Sequence, residues 1–128
     1  MTYMTDPIGD LLTRIRNSQA ARGTSTTAPW SRIKEELCEL LKREGWLADV
    51  AVYEEDGKKI LEVQFIPGKK LTLKRISKPG RRVYAAAKEL RPVLRGFGMA
   101  VLTTSKGLLT DDEARKQSAG GEVLCTIS

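Results

Sequence analysis

"MAVLTTSKGLLTDDEARKQSAGGEVLCTIS", Met99 to Ser128, is the stretch whose reading decides the fold. "MAVLTT" reads as a buried strand. "LLT" follows a small polar insert as another strand. Thr110-x-x-Glu113 makes a capping box for a helix over "DDEARKQSA". Asp111 and Asp112 stand in its first turn, where negative charge complements the helix dipole. Gly120 and Gly121 end that helix. "EVLCTIS" is a last strand, with Val123, Cys125 and Ile127 on one face and Leu124 and Thr126 on the other. Strands with a helix between them predict an α+β protein.

The rest of the chain extends this pattern. Asp6 is a candidate cap and Pro7 suits the first position of a helix. Ile8, Leu11, Leu12 and Ile15 form its apolar stripe, and Gly23 is its expected stop. "TSTTAPW" is extended. Ser31 caps a second helix with the stripe Ile33, Leu37, Leu40 and Leu41, and Gly45 ends it. "WLADVAVYEE" and "KKILEVQFI" are strands joined at Asp56–Gly57. "LTLKRIS" alternates Leu71, Leu73 and Arg75 with Thr72, Lys74 and Ile76. Pro79–Gly80 marks a turn. A short strand at Val83–Tyr84 and a short helix around Glu89–Leu94 are expected next, with Pro92 limiting the helix. The chain divides into an α+β subdomain over residues 1–66 and a second over residues 67–128.

Charge is distributed unevenly. Residues 1–57 carry a net −3, residues 58–95 a net +10 and residues 96–128 a net −1. The middle third holds twelve cations, among them Lys69, Lys70, Lys74, Arg75, Arg81 and Arg82, against two acids. A solubilising face mixes both signs. Twelve against two is not mixed, so a polyanion is the favoured partner. With 41% hydrophobic and 30% charged residues the chain can bury a core. No apolar run approaches the ~20 residues that cross a membrane, and no basic-then-apolar leader opens the chain. The expectation is a cytoplasmic protein without a membrane partner.

Catalysis is disfavoured. The chain has no histidine and two distant cysteines, Cys38 and Cys125, which read as free thiols. No cofactor, metal site or catalytic residue is expected. Ser105 and Lys106 are adjacent in a turn, where neighbours point apart, and no nucleophile–base–oxyanion set can be assembled. Nucleic-acid binding fits better. Lysines and arginines such as Lys74, Arg81 and Arg82 supply phosphate contacts. Tyr84 has two readings, a stacking platform for a base or a core side chain beside a turn. Trp30 also has two, a packing side chain over the second helix or part of an anion site with Ser31, Arg32 and Lys34 at its amino terminus. The insert "TTSKG", Thr103, Thr104, Ser105, Lys106 and Gly107, is either a polar hairpin tip or a loop small enough to read RNA in its shallow groove or at bulged nucleotides. A basic DNA-binding protein is the rival class, although no helix-turn-helix or zinc finger is recognisable.

Four segments together resemble the small-subunit ribosomal protein eight family of bacterial type: "DPIGDLLTRIRN", "SKPGRRVY", "GMAVLTTSKGLLTDDEAR" and "GGEVLC". The resemblance runs nearly end to end and in the family's order. It implies two α+β subdomains packed together in layers α/β/β/α, the second carrying the main RNA-binding loop. It implies direct binding to the central domain of 16S ribosomal RNA, a role in assembling the platform of the 30S subunit, and possible repression of its own messenger RNA. Implied neighbours are small-subunit ribosomal proteins five and twelve, with the chain a monomer within the subunit. By position, Thr104, Ser105 and Lys106 match the family's RNA-contacting loop, Tyr84 its tyrosine after the PG turn, and Gly120, Gly121 and Glu122 its GGE. The chain departs from the family at Thr103, Trp30, Arg32 and Thr126.

Overall fold

The computed structural model describes residues 6–91 and 98–128. They form two compact units. One is Pro7–Leu71; the other is Thr72–Ser128 with Asp6. Both are mixed α+β, as the sequence pattern predicts, and the described strand pairs are antiparallel.

In the first unit, α1 (Pro7–Ala20) leads to β1 (Ser25–Pro29), α2 (Arg32–Arg43), β2 (Asp49–Glu55) and β3 (Lys58–Gln64). The sheet order is β1-β3-β2. The α1 stripe Ile8, Leu11, Leu12 and Ile15 is buried as expected. The α2 stripe is rotated from the expected one. Lys34, Leu37, Cys38, Leu40 and Leu41 are its buried residues, while Ile33 is only half-buried. Asp56 and Gly57 both adopt left-handed backbone, φ 52° and 76°, the pair of values a two-residue primed turn requires.

The second unit runs β4 (Leu73–Arg75), β5 (Tyr84–Ala85), a 3-10 turn at Ala87–Glu89, β6 (Met99–Thr104), β7 (Gly107–Thr110), α3 (Asp111–Lys116) and β8 (Gly121–Ile127). Its sheet order is β4-β8-β6-β7, with β5 also pairing β8. The expected strand thus begins at Tyr84 rather than Val83. The helix expected around Glu89–Leu94 does not form in its described part: the 3-10 turn ends at Glu89 and Leu90 is extended, φ −72° and ψ 131°, while the part from Pro92 onward lies outside the described residues.

One feature of β8 overturns its strict alternation. Val101 pairs with Cys125, but the next residue, Leu102, pairs with Val123. Leu124 is an extra residue, and an extra residue inverts the face of everything beyond it. Val123 therefore packs with Ala100, Leu102, Leu109, Ala114 and Ala119. Cys125 and Ile127 share the opposite face with Val101 and Met99. The bulge is held by a buried cation. The Leu124 carbonyl accepts hydrogen bonds from Ile76 N at 2.9 Å and Arg75 Nη1 at 2.6 Å. The same guanidinium forms a two-pronged ion pair with Asp6 at 3.2 Å, and its side chain is 9% exposed. Arg75 is thus an internal member of the sheet and not one of the surface cations counted in the sequence.

The three described α-helices end on the same device. In each, a left-handed residue follows the cap, and two backbone N–H groups turn back to the last carbonyls. For α2 that residue is Gly45, as expected, with Trp46 N bonded to Leu41 O and Gly45 N to Lys42 O. For α1 it is Arg22, φ 60°, and not Gly23. For α3 it is Ser118, φ 52°, and not the glycine pair. Ala119 N bonds Ala114 O at 2.9 Å, and the two alanines meet in the core cluster. The glycines serve close approach instead: a Cβ on Gly23 would lie 3.0 Å from Ser18 O.

Two stability predictions follow from these geometries. A non-glycine residue in left-handed backbone costs about 1–2 kcal/mol. Ser118→Gly should therefore stabilise the protein, after its entropic cost, by roughly 0.5–1 kcal/mol. Thermal melting should show a midpoint raised by a few degrees; an unchanged or lower midpoint would contradict the assignment. Arg75→Ala removes the ion pair with Asp6 and one of the two donors to the Leu124 carbonyl, and should cost about 3 kcal/mol in urea unfolding. A loss below about 1 kcal/mol would show that the bulge holds without the guanidinium.

Candidate nucleic-acid interface

Strand order sets three of the expected site residues side by side. Tyr84 on β5 pairs with Glu122 on β8, and Glu122 pairs with Thr103 on β6. Leu108 on β7 continues the line beside Thr103. Directly paired residues in antiparallel strands project to one face. The row Tyr84–Glu122–Thr103 is therefore set by backbone pairing. Tyr84 is 69% exposed, which removes the reading of it as a core side chain. Its row lies on the face opposite Val123 and Leu102, and that assignment follows from the bulge at Leu124.

Gly120 and Gly121 bring the strands this close. A Cβ on Gly121 would overlap the Thr103 carbonyl oxygen and lie 3.0 Å from its carbon and 3.2 Å from Thr104 Cα. A Cβ on Gly120 would lie 2.7 Å from Ala85 O and 2.9 Å from Ala86 Cα. Each glycine thus abuts the backbone of a neighbouring strand, one on β6 and one on the β5 side.

Glu122 is held from below. Its Oε2 accepts a hydrogen bond from the Ser77 hydroxyl and another from Arg82 Nη1 at 3.0 Å. Ser77 is fully buried, and its oxygen also accepts from Val83 N at 3.1 Å. Burial alone would push the Glu122 carboxyl up. The hydroxyl and the guanidinium outweigh that, and hold it below its ordinary value. Sequence reasoning missed Ser77. The signal was present, since Leu71, Leu73, Arg75 and Ser77 alternate on one face, and a serine at an inward position needs partners.

The insert at Thr103–Gly107 is a tight hairpin tip. Thr104 pairs with Gly107, and Ser105 and Lys106 form the turn. Gly107 takes φ 98°, which explains its presence. Thr104 uses its hydroxyl locally: it donates to Gly107 O at 2.9 Å and accepts from Lys106 N at 3.1 Å. Ser105 and Lys106 are exposed at the tip. The hydroxyls thus divide into one that shapes the turn and others left facing outward.

The remaining expected residues separate by burial. Lys74, on β4, and Arg81, beside the Pro79–Gly80 turn, are exposed. Reciprocal backbone bonds between Lys78 and Arg81, at 3.0 and 2.9 Å, close that turn. In the first unit, Ser31 caps α2 by accepting from Lys34 N at 3.4 Å. Trp30 packs at the helix start. Its indole N–H donates to Glu35 Oε1 at 2.6 Å, and Lys59 Nζ sits 4.5 Å from its ring centroid. Arg32 is exposed and paired with Glu36 at 3.0 Å. Lys34 corrects the sequence reading. It is 5% exposed, and its ammonium donates to Pro29 O at 2.6 Å, so it is not a surface cation. Burial also lowers its pKa. The cause is legible afterwards: position 34 falls on one helical stripe with Leu37, Cys38 and Leu41.

Among the described residues no His/Cys/Asp/Glu group could hold a metal. No described helix is long and apolar enough to cross a membrane. Both cysteines are buried, and burial pushes each thiol up to about 12.

Comparison with known proteins agrees with the four-motif resemblance. The family model described as "Ribosomal protein S8" matches residues 6–128. The chain is 53% identical to the small ribosomal subunit protein uS8 of Exiguobacterium sp., covering 97% of this chain and 98% of that one. It is 50% identical to the protein of that name from Latilactobacillus sakei, and 43% identical to the one from Persephonella marina, with the same coverage of both chains in each case. None of these relatives is named as an enzyme. The chain belongs to the ribosomal protein S8 family, a family of structural proteins of the small ribosomal subunit.

Proposed function

We propose that this chain is a primary binder of 16S ribosomal RNA. It grips the central domain and helps assemble the platform of the 30S subunit. The single observation that carries the reading is the row Tyr84–Glu122–Thr103 beside the exposed tip Ser105–Lys106. A strongly exposed tyrosine in one row with Glu122 and Thr103 offers a stacking plane near compact polar groups. That combination suits unstacked bases and 2′-hydroxyls.

The roles then separate. Lys74, Lys78 and Arg81 are exposed cations that attract and orient the phosphate backbone. Tyr84 stacks on a base. Ser105 and Lys106 reach the RNA from the tip, and Thr104 fixes the turn that aims them. Glu122 is an acid facing a polyanion. Ser77 and Arg82 occupy one of its oxygens, and the other is available to accept from an RNA hydroxyl or amino group. Gly120 and Gly121 hold the strands at the spacing this row needs. In the first unit Trp30, Ser31 and Arg32 frame a second, minor contact, while buried Lys34 supports the helix start from inside.

The same reading places the chain in the cytoplasmic ribosome beside small-subunit proteins five and twelve. A look-alike site on its own messenger RNA would allow it to repress translation.

Filter binding to a central-domain RNA fragment tests the proposal, with an unrelated hairpin of equal length and duplex DNA as competitors. Specific, DNA-resistant binding is expected; affinity no better than for the hairpin would sink it. Lys74→Ala should weaken binding to all RNAs and reduce the salt slope by about one. Ser105→Ala should cost only specific binding, on the order of 1–3 kcal/mol. Equal losses in both variants would refute the division of roles. Gly121→Ala should force β6 and β8 apart and lower specific affinity at least tenfold, with a lower melting midpoint. Unchanged affinity in a folded variant would show that the row does not depend on this approach.

A further inference from the structure

The first unit contains a concavity of about 410 Å³, apart from the row and tip just described. One wall is the end of α1 and the residues after it, including Gln19, Arg22 and Thr24. The other is the segment leaving β3, Phe65 to Lys70. Its size is that of a small-molecule or single-nucleotide site. Phe65, Ile66 and Pro67 make an apolar floor. Arg22, Lys69 and Lys70 supply three cations, and no carboxylate is among the ten lining residues.

The walls are fixed in place. The Gln19 side-chain amide donates to Lys69 O at 3.2 Å, and its oxygen accepts from Leu71 N at 3.0 Å. Gly68 adopts φ 79°, and Lys69 N bonds Ile66 O at 3.1 Å to close the turn. Lys69 is pinned, since its ammonium donates to Gly45 O at 2.8 Å and lies 4.6 Å from the Trp46 ring centroid. Arg22 and Lys70 are exposed. The carbonyls at the end of α1 are taken by Ala21, Arg22 and Gly23 N–H groups, so they do not compete for the cations. A preformed pocket with an apolar floor, a cationic rim and no acid matches an aromatic base carrying a phosphate.

We propose that this concavity binds one nucleotide of an RNA chain, the base lying on Phe65–Pro67 and the phosphate meeting Arg22 and Lys70. The inference rests on the RNA-binding reading above for its partner, but on different residues in the other unit. It makes the segment 66–70 a binding element with a shaped pocket, beyond a source of diffuse positive charge.

Two measurements on the full chain test it. Amide resonances of the isotope-labelled protein are followed during titration with adenosine 5′-monophosphate, uridine 5′-monophosphate or inorganic phosphate. Saturable shifts are expected at Gly23, Thr24, Gly68 and Lys70 with a mononucleotide, at least tenfold weaker with phosphate alone. No saturable shift, or an equal response to phosphate, would overturn the base-binding inference. In the second, Arg22→Gln/Lys70→Gln should lower affinity for the central-domain fragment on the order of tenfold and reduce the salt slope by one to two. Lys70→Gln alone, away from the end of α1, guards against a folding defect and should give a smaller loss in the same direction. If the wild type fails to distinguish the fragment from the hairpin, the RNA-binding reading fails, whatever the mononucleotides show. If it distinguishes them and both variants bind like wild type, the pocket inference alone fails.

Discussion

The second unit depends on one extra residue and the cation that holds it. Leu124 interrupts β8, so Val101 faces Cys125 while Leu102 faces Val123. A bulge leaves backbone groups that must find partners inside the protein. Arg75 and Ile76 take the Leu124 carbonyl, and Asp6 neutralises the guanidinium. A neutral donor in place of Arg75 would satisfy the carbonyl but bring no charge to the Asp6 carboxylate. The arginine answers both demands at once, because its planar head donates in two directions.

The bulge matters because it sits between two uses of the same strand. On the carboxy-terminal side, Cys125 and Ile127 are buried apolar residues. On the amino-terminal side, Glu122 stands in line with Tyr84 and Thr103. Were β8 regular through Leu124, period-two alternation would put Val123 on the Cys125 face and turn Glu122 toward Leu102. An unpaired carboxylate would then meet the apolar cluster around Leu102 and Ala114, at a cost of several kcal/mol. The insertion therefore lets one strand close a core and present a polar row.

Periodicity gave the α1 stripe, the Ser31 cap, the Thr110–Glu113 capping box and the turn at Asp56–Gly57, because each is set by neighbours a few positions apart. The bulge was invisible, since nothing within "EVLCTIS" distinguishes an inserted leucine from an alternating one. Its signature is the pairing with β6, which is non-local. The same holds for Arg75 and Lys34. Composition counts them as surface charge, yet each sits on an inward stripe whose register only tertiary packing completes. Gly120 and Gly121 read in the sequence as the stop of a helix, but Ser118 ends that helix and the glycines serve strand approach, because a left-handed stop and a close backbone approach both call for glycine. Of the candidate interface, Tyr84, Glu122 and Thr103 stand out in the sequence, but their alignment into one row, the support from Ser77 and the burial of Lys34 do not.

Glu122 shows why a polyanion-facing surface can keep an acid. Its carboxyl is partly buried, which by itself disfavours the charged form. Ser77 and Arg82 reverse that balance and hold its pKa below the ordinary 4.5. A depressed carboxyl contributes stability above its unfolded pKa and loses it only as pH falls through the lower folded value. The Ser77–Glu122–Arg82 contact is accordingly closed throughout the neutral range. It fastens the turn carrying Arg81 and Arg82 to the strand that carries the row. Arg82 thus neutralises the acid locally, while Arg81, one residue away, remains exposed for a phosphate. The acid fixes the geometry of the cations around it, and its own charge is already matched before a polyanion arrives.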